Sequence, residues 1–434
     1  MPSVLPPGEP APPDGSLPAS ALAELGDGPV SLYLHVPFCA TRCGYCDFNT
    51  YTAAELGSAP GSSRQAYLAA AHAELALAAR VLGERPVSTV FVGGGTPTLL
   101  EAAELVGLVT AAREHFPLSD GAEVTTECNP ESVDARYLDA LVAGGFNRIS
   151  FGMQSARAHV LRVLERTHTP GRVADVVGWA RAAGFGSISL DLIYGTPGES
   201  LDDWRASLEA ALAQAPDHVS AYALIIEEGT RLAAQIRRGD VPAPIDDLQA
   251  DCYELADDVL SAAGLGWYEL SNWSRPGHEC RHNLAYWRGA SWWGVGPGAH
   301  SHVGGVRWWN VKHPRRYSAA LAEGHSPAAA REVLDADARR VERVLLESRL
   351  ADGLDSEVLT ASERARVPGL VARGLIEPAR PDSNLGWSSA SGLLSGDRGP
   401  GPSSPPAESG SLAPLRLTRR GRLLADAVVR DLLD

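Results

Sequence analysis

Ser31-Leu-Tyr-Leu-His-Val-Pro-Phe-Cys39-Ala-Thr-Arg-Cys43-Gly-Tyr-Cys46 opens as a short strand and ends in three cysteines within eight residues. Five further β-rich runs follow at Ser88–Val92, Ala122–Glu127, Asn147–Phe151, Ser187–Ile193 and His218–Leu224. Helical patterns alternate with them at Arg64–Leu82, Glu101–His115, Ser132–Ala143, Ala156–Leu164, Pro170–Ala183 and Ser200–Gln214. The third of these starts on a capping serine, Ser132, and stops at Gly144 and Gly145. Strictly alternating strands and helices predict a parallel sheet with right-handed crossovers. Six units rather than eight predict a partial (β/α)6 barrel of the α/β class, with an open doubly wound sheet as the alternative.

Composition bounds the function classes. The chain has 434 residues, 44% hydrophobic and 21% charged, which suits one large α/β domain plus a smaller one. Lys and Arg number 38 against 53 Asp and Glu, a net charge of −15. That balance argues against a nucleic-acid wrapper and a polybasic membrane anchor, both of which need positive charge. No apolar run is long enough to span a bilayer, and the start lacks the basic and apolar segments of a signal peptide. Six cysteines do not make a disulfide scaffold. Residues 1–29, rich in Pro and small side chains, are expected to be a disordered tail. A Ser/Gly/Pro-dense stretch at about 380–413 reads as a flexible insertion.

Polar residues recur just after each strand. They are Cys39, then Gly93-Gly94-Gly95-Thr96-Pro97-Thr98, Glu127-Cys128-Asn129-Pro130, Gly152-Met153-Gln154-Ser155 and Asp191 with Tyr194-Gly195-Thr196-Pro197-Gly198. In a parallel barrel these points share one face, where active sites lie. The CxxxCxxC spacing of Cys39, Cys43 and Cys46 lets three thiolates hold a [4Fe–4S] cubane with one iron open to a chelating small molecule. The alternative is a structural zinc loop with His35 as fourth ligand. Such loops usually come as two CxxC pairs, and no second pair is present.

These motifs together resemble the radical S-adenosylmethionine (SAM) superfamily, and more narrowly its HemN/HemW group. The likeness rests on Tyr33–Cys39, Cys46–Tyr51, Gly93–Thr98, Glu127–Pro130, Ile149–Ser155 and Asp191–Gly198, and covers roughly residues 30–350. It implies a barrel at 30–240, an extension at 241–325, and a C-terminal mainly helical, winged-helix-like domain at 326–434. It implies that Cys39, Cys43 and Cys46 ligate the cluster. Gly94, Gly95 and Thr96 would let the backbone approach the methionine end of SAM, where a side chain would block it. Arg166 would hold the SAM carboxylate by a charge-assisted fork. Glu127, Gln154 and Asp191 would bind ribose hydroxyls or nearby polar groups, and Tyr33 stands at the family position beside cluster and ligand.

Two features separate the branches of the group. The coproporphyrinogen III dehydrogenase branch carries a fourth cysteine two residues after the third. Phe48 stands there in this chain. His282-Asn283-Leu284-Ala285-Tyr286-Trp287 matches the HNxxYW motif of the HemW branch, the heme chaperones. The resemblance implies heme binding with His282 as ligand, and transfer to respiratory-chain hemoproteins. Tyr286, Trp287 and the surrounding Trp267, Tyr268, Trp273, Trp292, Trp293, Trp308 and Trp309 would offer faces for the macrocycle. From spacing alone these rings read equally as packing around a hydrogen-bonded core histidine. Cys280, His300 and His302 are alternative ligands, and no role is assigned to Cys128 or Cys252.

The expectation is a radical SAM heme chaperone with a [4Fe–4S] cluster, SAM and heme. The rivals are an oxygen-independent coproporphyrinogen III oxidase and a radical SAM methylase or tRNA modifier. Cytoplasmic location is expected, with a peripheral membrane position, a heme donor and a homodimer left open, and no nucleic-acid partner.

Overall fold

The computed structural model describes residues 7–57, 61–166, 169, 171–379 and 413–434. Strands β1 (Val30–Val36), β2 (Val87–Gly94), β3 (Leu118–Cys128), β4 (Arg148–Gln154), β5 (Ser187–Tyr194) and β6 (His218–Ala223) pair in parallel in that order. A doubly wound sheet reverses its strand order at a switch point. Here no reversal occurs, so every crossover runs the same way and the helices share one face. That is the partial barrel, and the open doubly wound alternative falls. The six strands do not close on one another, because β1 also bonds a strand at Trp292–Val295 and β6 one at Asn272–Ser274.

The crossovers carry helices α1 (Arg64–Leu82), α2 (Ala102–His115), α3 (Ala135–Ala143), α4 (Arg172–Ala183) and α5 (Leu201–Leu212), with a short turn of helix at Ala158–Val163. Their caps are local chemistry. Ser63 accepts from the Ala66 N–H at 3.1 Å, and Ser200 forms a reciprocal box with Asp203. The expected cap Ser132 is displaced to Asp134, whose carboxylate accepts from the Tyr137 N–H at 2.8 Å. Ser132 is instead spent on the Asn129 carbonyl at 2.7 Å, in a 3-10 turn imposed by Pro130. Leu75, Leu108, Leu138, Val176 and Leu208 from the helices bury against Leu34, Val90, Ile149 and Leu190 of the strands. β1 is buried on both sides, with Val30, Leu32, Leu34 and Val36 on one face and Ser31, Tyr33 and His35 on the other.

The sheet grows to twelve strands. Helices α6 (Arg231–Arg238) and α7 (Asp246–Ala262) follow β6, and β7 (Gly266–Glu269) and β8 (Asn272–Ser274) extend that edge. Helix α8 (Arg281–Trp287) leads to β9 (Trp292–Val295), β10 (His300–Val303) and β11 (Val306–Asn310), then α9 (Pro314–Ala322) and β12 (Ala328–Val333) at the other edge.

Within the segment expected as a disordered tail, residues 7–29 follow a defined path. Glu9 and Arg331 exchange both backbone hydrogen bonds at 2.9 Å and form an ion pair at 2.7 Å. A helix at Ala19–Leu25 buries Ala21. An extended, Pro-rich segment thus bridges the outer edge of β12 at Arg331. Composition alone does not register such a partner.

The C-terminal region is mainly helical, with helices at Ala336–Glu347 and Ala425–Leu433 and a two-stranded pair, β13 (Ile376–Pro378) with β14 (Leu415–Leu417). It has its own apolar cluster around Val344, Leu370, Ile376, Leu417 and Val428. The expected insertion lies, but for its last residue, outside the described residues. Among the described residues no helix is long and apolar enough to cross a membrane.

Candidate functional site

A cavity of about 630 Å³ opens at the C-terminal ends of β1–β6. Cys39, Cys43, Cys46, Gly94, Gly95, Thr96, Glu127, Gln154, Arg166 and Asp191 all line it. Ten of the twelve residues assigned from sequence to cluster, SAM or heme therefore share one chamber. Tyr33 and His282 are not on its wall.

The cysteine loop is seated by backbone hydrogen bonds. Gly95 N–H donates to the Val36 carbonyl at 2.8 Å, Thr96 N–H to Phe38 at 2.8 Å, and Leu232 N–H of α6 to Gly44 at 2.8 Å. These bonds give the glycines a different reason from the one expected. A Cβ on Gly95 would stand 2.4 Å from the Phe38 carbonyl oxygen and 3.0 Å from Cys39 Sγ. Gly94 has φ +111°, and a Cβ there would meet the His35 ring at 2.7 Å. A side chain at either position collides with the protein itself before any ligand enters.

His35 does not serve as a fourth zinc ligand. Its Nε2 lies 2.9 Å from the Asn49 carbonyl and its Nδ1 3.0 Å from the Tyr33 hydroxyl, so both ring nitrogens are engaged. Burial holds it neutral, with its pKa lowered to about 4. Tyr33 thus orients His35 from behind the wall. Among the described residues no three His, Cys, Asp or Glu side chains converge tightly enough for one metal ion. A single zinc needs every donor about 2.3 Å from one point. A cubane takes each thiolate on a different iron, so three thiols on one cavity wall, without a convergent single-ion donor set among the described residues, fit a cluster better than a zinc. Burial pushes the Cys46 thiol up to about 11.

Two half-buried carboxyls share the cavity wall with the cysteines. Glu127 accepts from the Gly94 N–H at 3.0 Å, and burial together with the neighbouring Asp191 pushes its pKa up to about 8. Burial also raises Asp191, although Ser150 Oγ lies 2.8 Å from both of its carboxylate oxygens. Arg166 donates from Nη2 to the Gly152 carbonyl at 3.0 Å and from Nη1 towards Cys43 Sγ at 3.7 Å. Its Nε is buried without a partner. Gln154 and Glu165, both on the wall, hold positive φ values of 64° and 52°, strain that a site-building segment tolerates. Ribose hydroxyls, an amino group and a carboxylate are the groups this set can receive.

The cavity continues down to Arg148, Ser189, His218, Cys280 and Asn283. Sequence reading missed Ser150 and Arg148, though both share the inward parity of Gly152 and Gln154 along β4. It also missed His218, which bonds Ser189 Oγ and Tyr268 Oη at 2.8 Å each. Helix α8 sits beneath this floor. Glu123 accepts its Arg281 and His282 N–H groups at 3.1 Å each. The His282 ring is buried, stacked on Phe91 at 5.1 Å, with Nδ1 2.7 Å from Thr89 Oγ1 and Nε2 2.8 Å from Tyr286 Oη. Burial lowers its pKa to about 3. Trp273, Trp293, Trp308 and Trp309 are buried packing. Neither His282 nor these rings present a free atom or face to the cavity.

Residues 33–211 match the Radical SAM superfamily. The heme chaperone HemW of Mycobacterium tuberculosis is 51% identical over 412 residues, covering 95% of this chain and 97% of that protein. The heme chaperone HemW of Escherichia coli is 37% identical over 295 residues, covering 67% of this chain and 75% of that protein. The solved coproporphyrinogen III oxidase HemN of Escherichia coli superposes with a TM-score of 0.75, covering 97% of this chain and 94% of that one. At 23% identity this is a likeness of fold. A parallel barrel with three cysteines at its mouth, and a near-full-length relative at half identity, lead to one conclusion: the chain belongs to the HemW family of the radical SAM superfamily.

Proposed function

We propose that this chain is a heme chaperone that binds heme and passes it to respiratory-chain hemoproteins, with a [4Fe–4S] cluster and SAM in the barrel mouth. The observation that carries this reading is the 51% identity to a heme chaperone over 95% of the chain. The cavity supports it with a donor set suited to both groups. Cys39, Cys43 and Cys46 would hold the cluster. Arg166, with a buried Nε lacking an acceptor, would take the SAM carboxylate. Glu127, Gln154 and Asp191 would receive ribose hydroxyls and the amino group. When bound, the cluster supplies an iron that chelates the amino-acid end of SAM and a source of single electrons. The protein's own part is to seat the loop through Gly94 and Gly95 and to enclose the ligand. Phe48 speaks against the oxidase reading, because it offers no donor where that branch has a thiol. Delivery to membrane hemoproteins would bring the chain to the cytoplasmic membrane surface, docked rather than inserted.

Anaerobic reconstitution with iron and sulfide should give about four irons per chain, and Cys43→Ala should lose most of them. The reconstituted protein should shift the Soret band of added hemin and leave coproporphyrinogen III unconverted in the presence of SAM and reductant. Conversion with release of carbon dioxide would replace this reading with the oxidase one.

A further inference from the structure

We infer that heme docks at the open mouth of the barrel, flat against an apolar wall made by Phe48, Tyr222 and Ile225, and not on His282. The inference rests on the heme-binding reading proposed above and gives that ligand a place. Nine large apolar side chains are a third or more exposed among the described residues. Three of them, Phe48 at 53%, Tyr222 at 43% and Ile225 at 67%, line the same cavity. Exposed apolar surface gathered at one concave site marks a ligand contact more than a scatter of surface residues does.

The wall is built to bear a load. Leu224, next to Ile225, is buried in a satellite cluster with Val160, Leu164, Ile193 and Leu232, and Tyr45 of the cysteine loop packs against it. The bond from Leu232 N–H to the Gly44 carbonyl ties this cluster to the loop that carries Phe48. The two halves of the wall are thereby held together. The remainder of the chamber, with Glu127, Asp191 and Arg166, suits a polar ligand.

A broad apolar disc with its acidic groups on one edge matches such a wall. Its faces cover Phe48, Tyr222 and Ile225, and its propionates point out to water. The alternative seat is closed. His282 has both ring nitrogens hydrogen-bonded, its ring stacked on Phe91, and its helix fixed to Glu123. Taking iron there would break the Thr89 or Tyr286 bond inside a packed floor. His218, a histidine on the cavity wall, is likewise bonded at both nitrogens.

Hemin titration of the anaerobically reconstituted full-length protein, followed at the Soret band, tests the assignment. Phe48→Ser combined with Ile225→Ser should weaken hemin binding about tenfold or more, from the lost apolar contact. His282→Gln, which keeps a hydrogen-bonding side chain between Thr89 and Tyr286, should keep the wild-type affinity and spectrum. Iron content and melting temperature of each variant should match wild type. If the double variant fails that control, Ile225→Ser alone carries the test, since that side chain is two-thirds exposed. Unchanged hemin affinity in the well-folded mouth variant, or loss of the Soret shift in His282→Gln, overturns the mouth assignment. Failure of the wild-type protein itself to bind hemin overturns the heme reading instead.

Discussion

Arg166 shows at the scale of one residue how the cavity is prepared for an anion. Two of its nitrogens are committed to Gly152 and Cys43, while Nε is buried with nothing to donate to. A buried donor without a partner is costly, and an incoming carboxylate would remove that cost. Arg166→Ala should therefore weaken SAM binding by roughly 1.5–3 kcal/mol, the range for a hydrogen bond to a charged group. Arg166→Lys should recover only part, because an ammonium cannot reproduce the planar fork. Equilibrium dialysis with SAM on the reconstituted protein checks this, and equal affinity in all three proteins would remove Arg166 from the site. That Cys39, Glu127 and Asp191 meet on one face was legible in the sequence, because each lies in or just beyond the C-terminal half of a barrel strand. Arg148 and Ser150 were not, because an interior polar residue in a parallel strand looks like any polar interruption. The histidine of HNxxYW was legible as a motif. That Thr89 and Tyr286 occupy its two nitrogens was not, since both contacts are made only in the fold.

Among elements, the least expected device is Glu74, a wholly buried carboxyl on α1. It accepts from Gly296 N–H at 2.8 Å, Asn310 Nδ2 at 2.7 Å and Tyr317 Oη at 2.6 Å, so it ties α1 to β11, α9 and the end of β9. Nothing in Ala-Ala-His-Ala-Glu-Leu announces this, because the partners lie more than two hundred positions away. The parallel sheet, by contrast, was legible from alternation alone, while the strand order that separates a barrel from a doubly wound sheet was not, and the N-terminal arm was misjudged because its partner edge arises only in the folded sheet. Burial raises Glu74 from 4.5 to about 7, against the pull of its three donors. The sign follows directly. The folded state holds this proton more tightly than the unfolded state, so the stability it contributes is full below 4.5 and is lost as pH rises to about 7. Glu74→Gln should flatten part of the fall in melting temperature between about pH 5 and 7. It should also lower the midpoint at neutral pH, because an amide N–H₂ then faces donors, at a cost of roughly 1–3 kcal/mol. Melting curves across that pH range decide it, and an unaltered slope in the variant would assign the titration elsewhere.

At the scale of the whole molecule, the question is what joins the C-terminal cluster to the barrel. The alternation that announced the barrel is silent about this, because the contact is made by side chains 165 positions apart. Arg422 reaches Asp257 of α7 with a two-pronged pair, Nη1 to Oδ1 at 3.0 Å and Nη2 to Oδ2 at 2.7 Å. Its guanidinium also lies over the Trp267 ring at 4.4 Å, and Asp257 accepts from Trp273 Nε1 at 2.9 Å. The arginine side chain is only 8% exposed, so the pair is shielded from water and salt. Burial works against ionising Asp257, yet the Arg422 fork and charge hold it below the ordinary carboxylate value. Its contribution is therefore present above pH 3.8 and fades as pH falls below that. Without Arg422, Asp257 keeps the longer Arg419 pair at 3.4 Å and the Trp273 N–H, so Arg422→Ala should cost somewhat less than the roughly 3–5 kcal/mol of a fully stranded charge. A second change, Asp257→Asn, should return part of the loss by removing the stranded charge. The effect should be regional: hydrogen exchange should quicken in Leu415–Leu433 and around Trp267, while amides of β1–β5 keep their protection. Unchanged exchange in Leu415–Leu433 would mean that the apolar cluster around Val428 holds the C-terminal region in place without this pair.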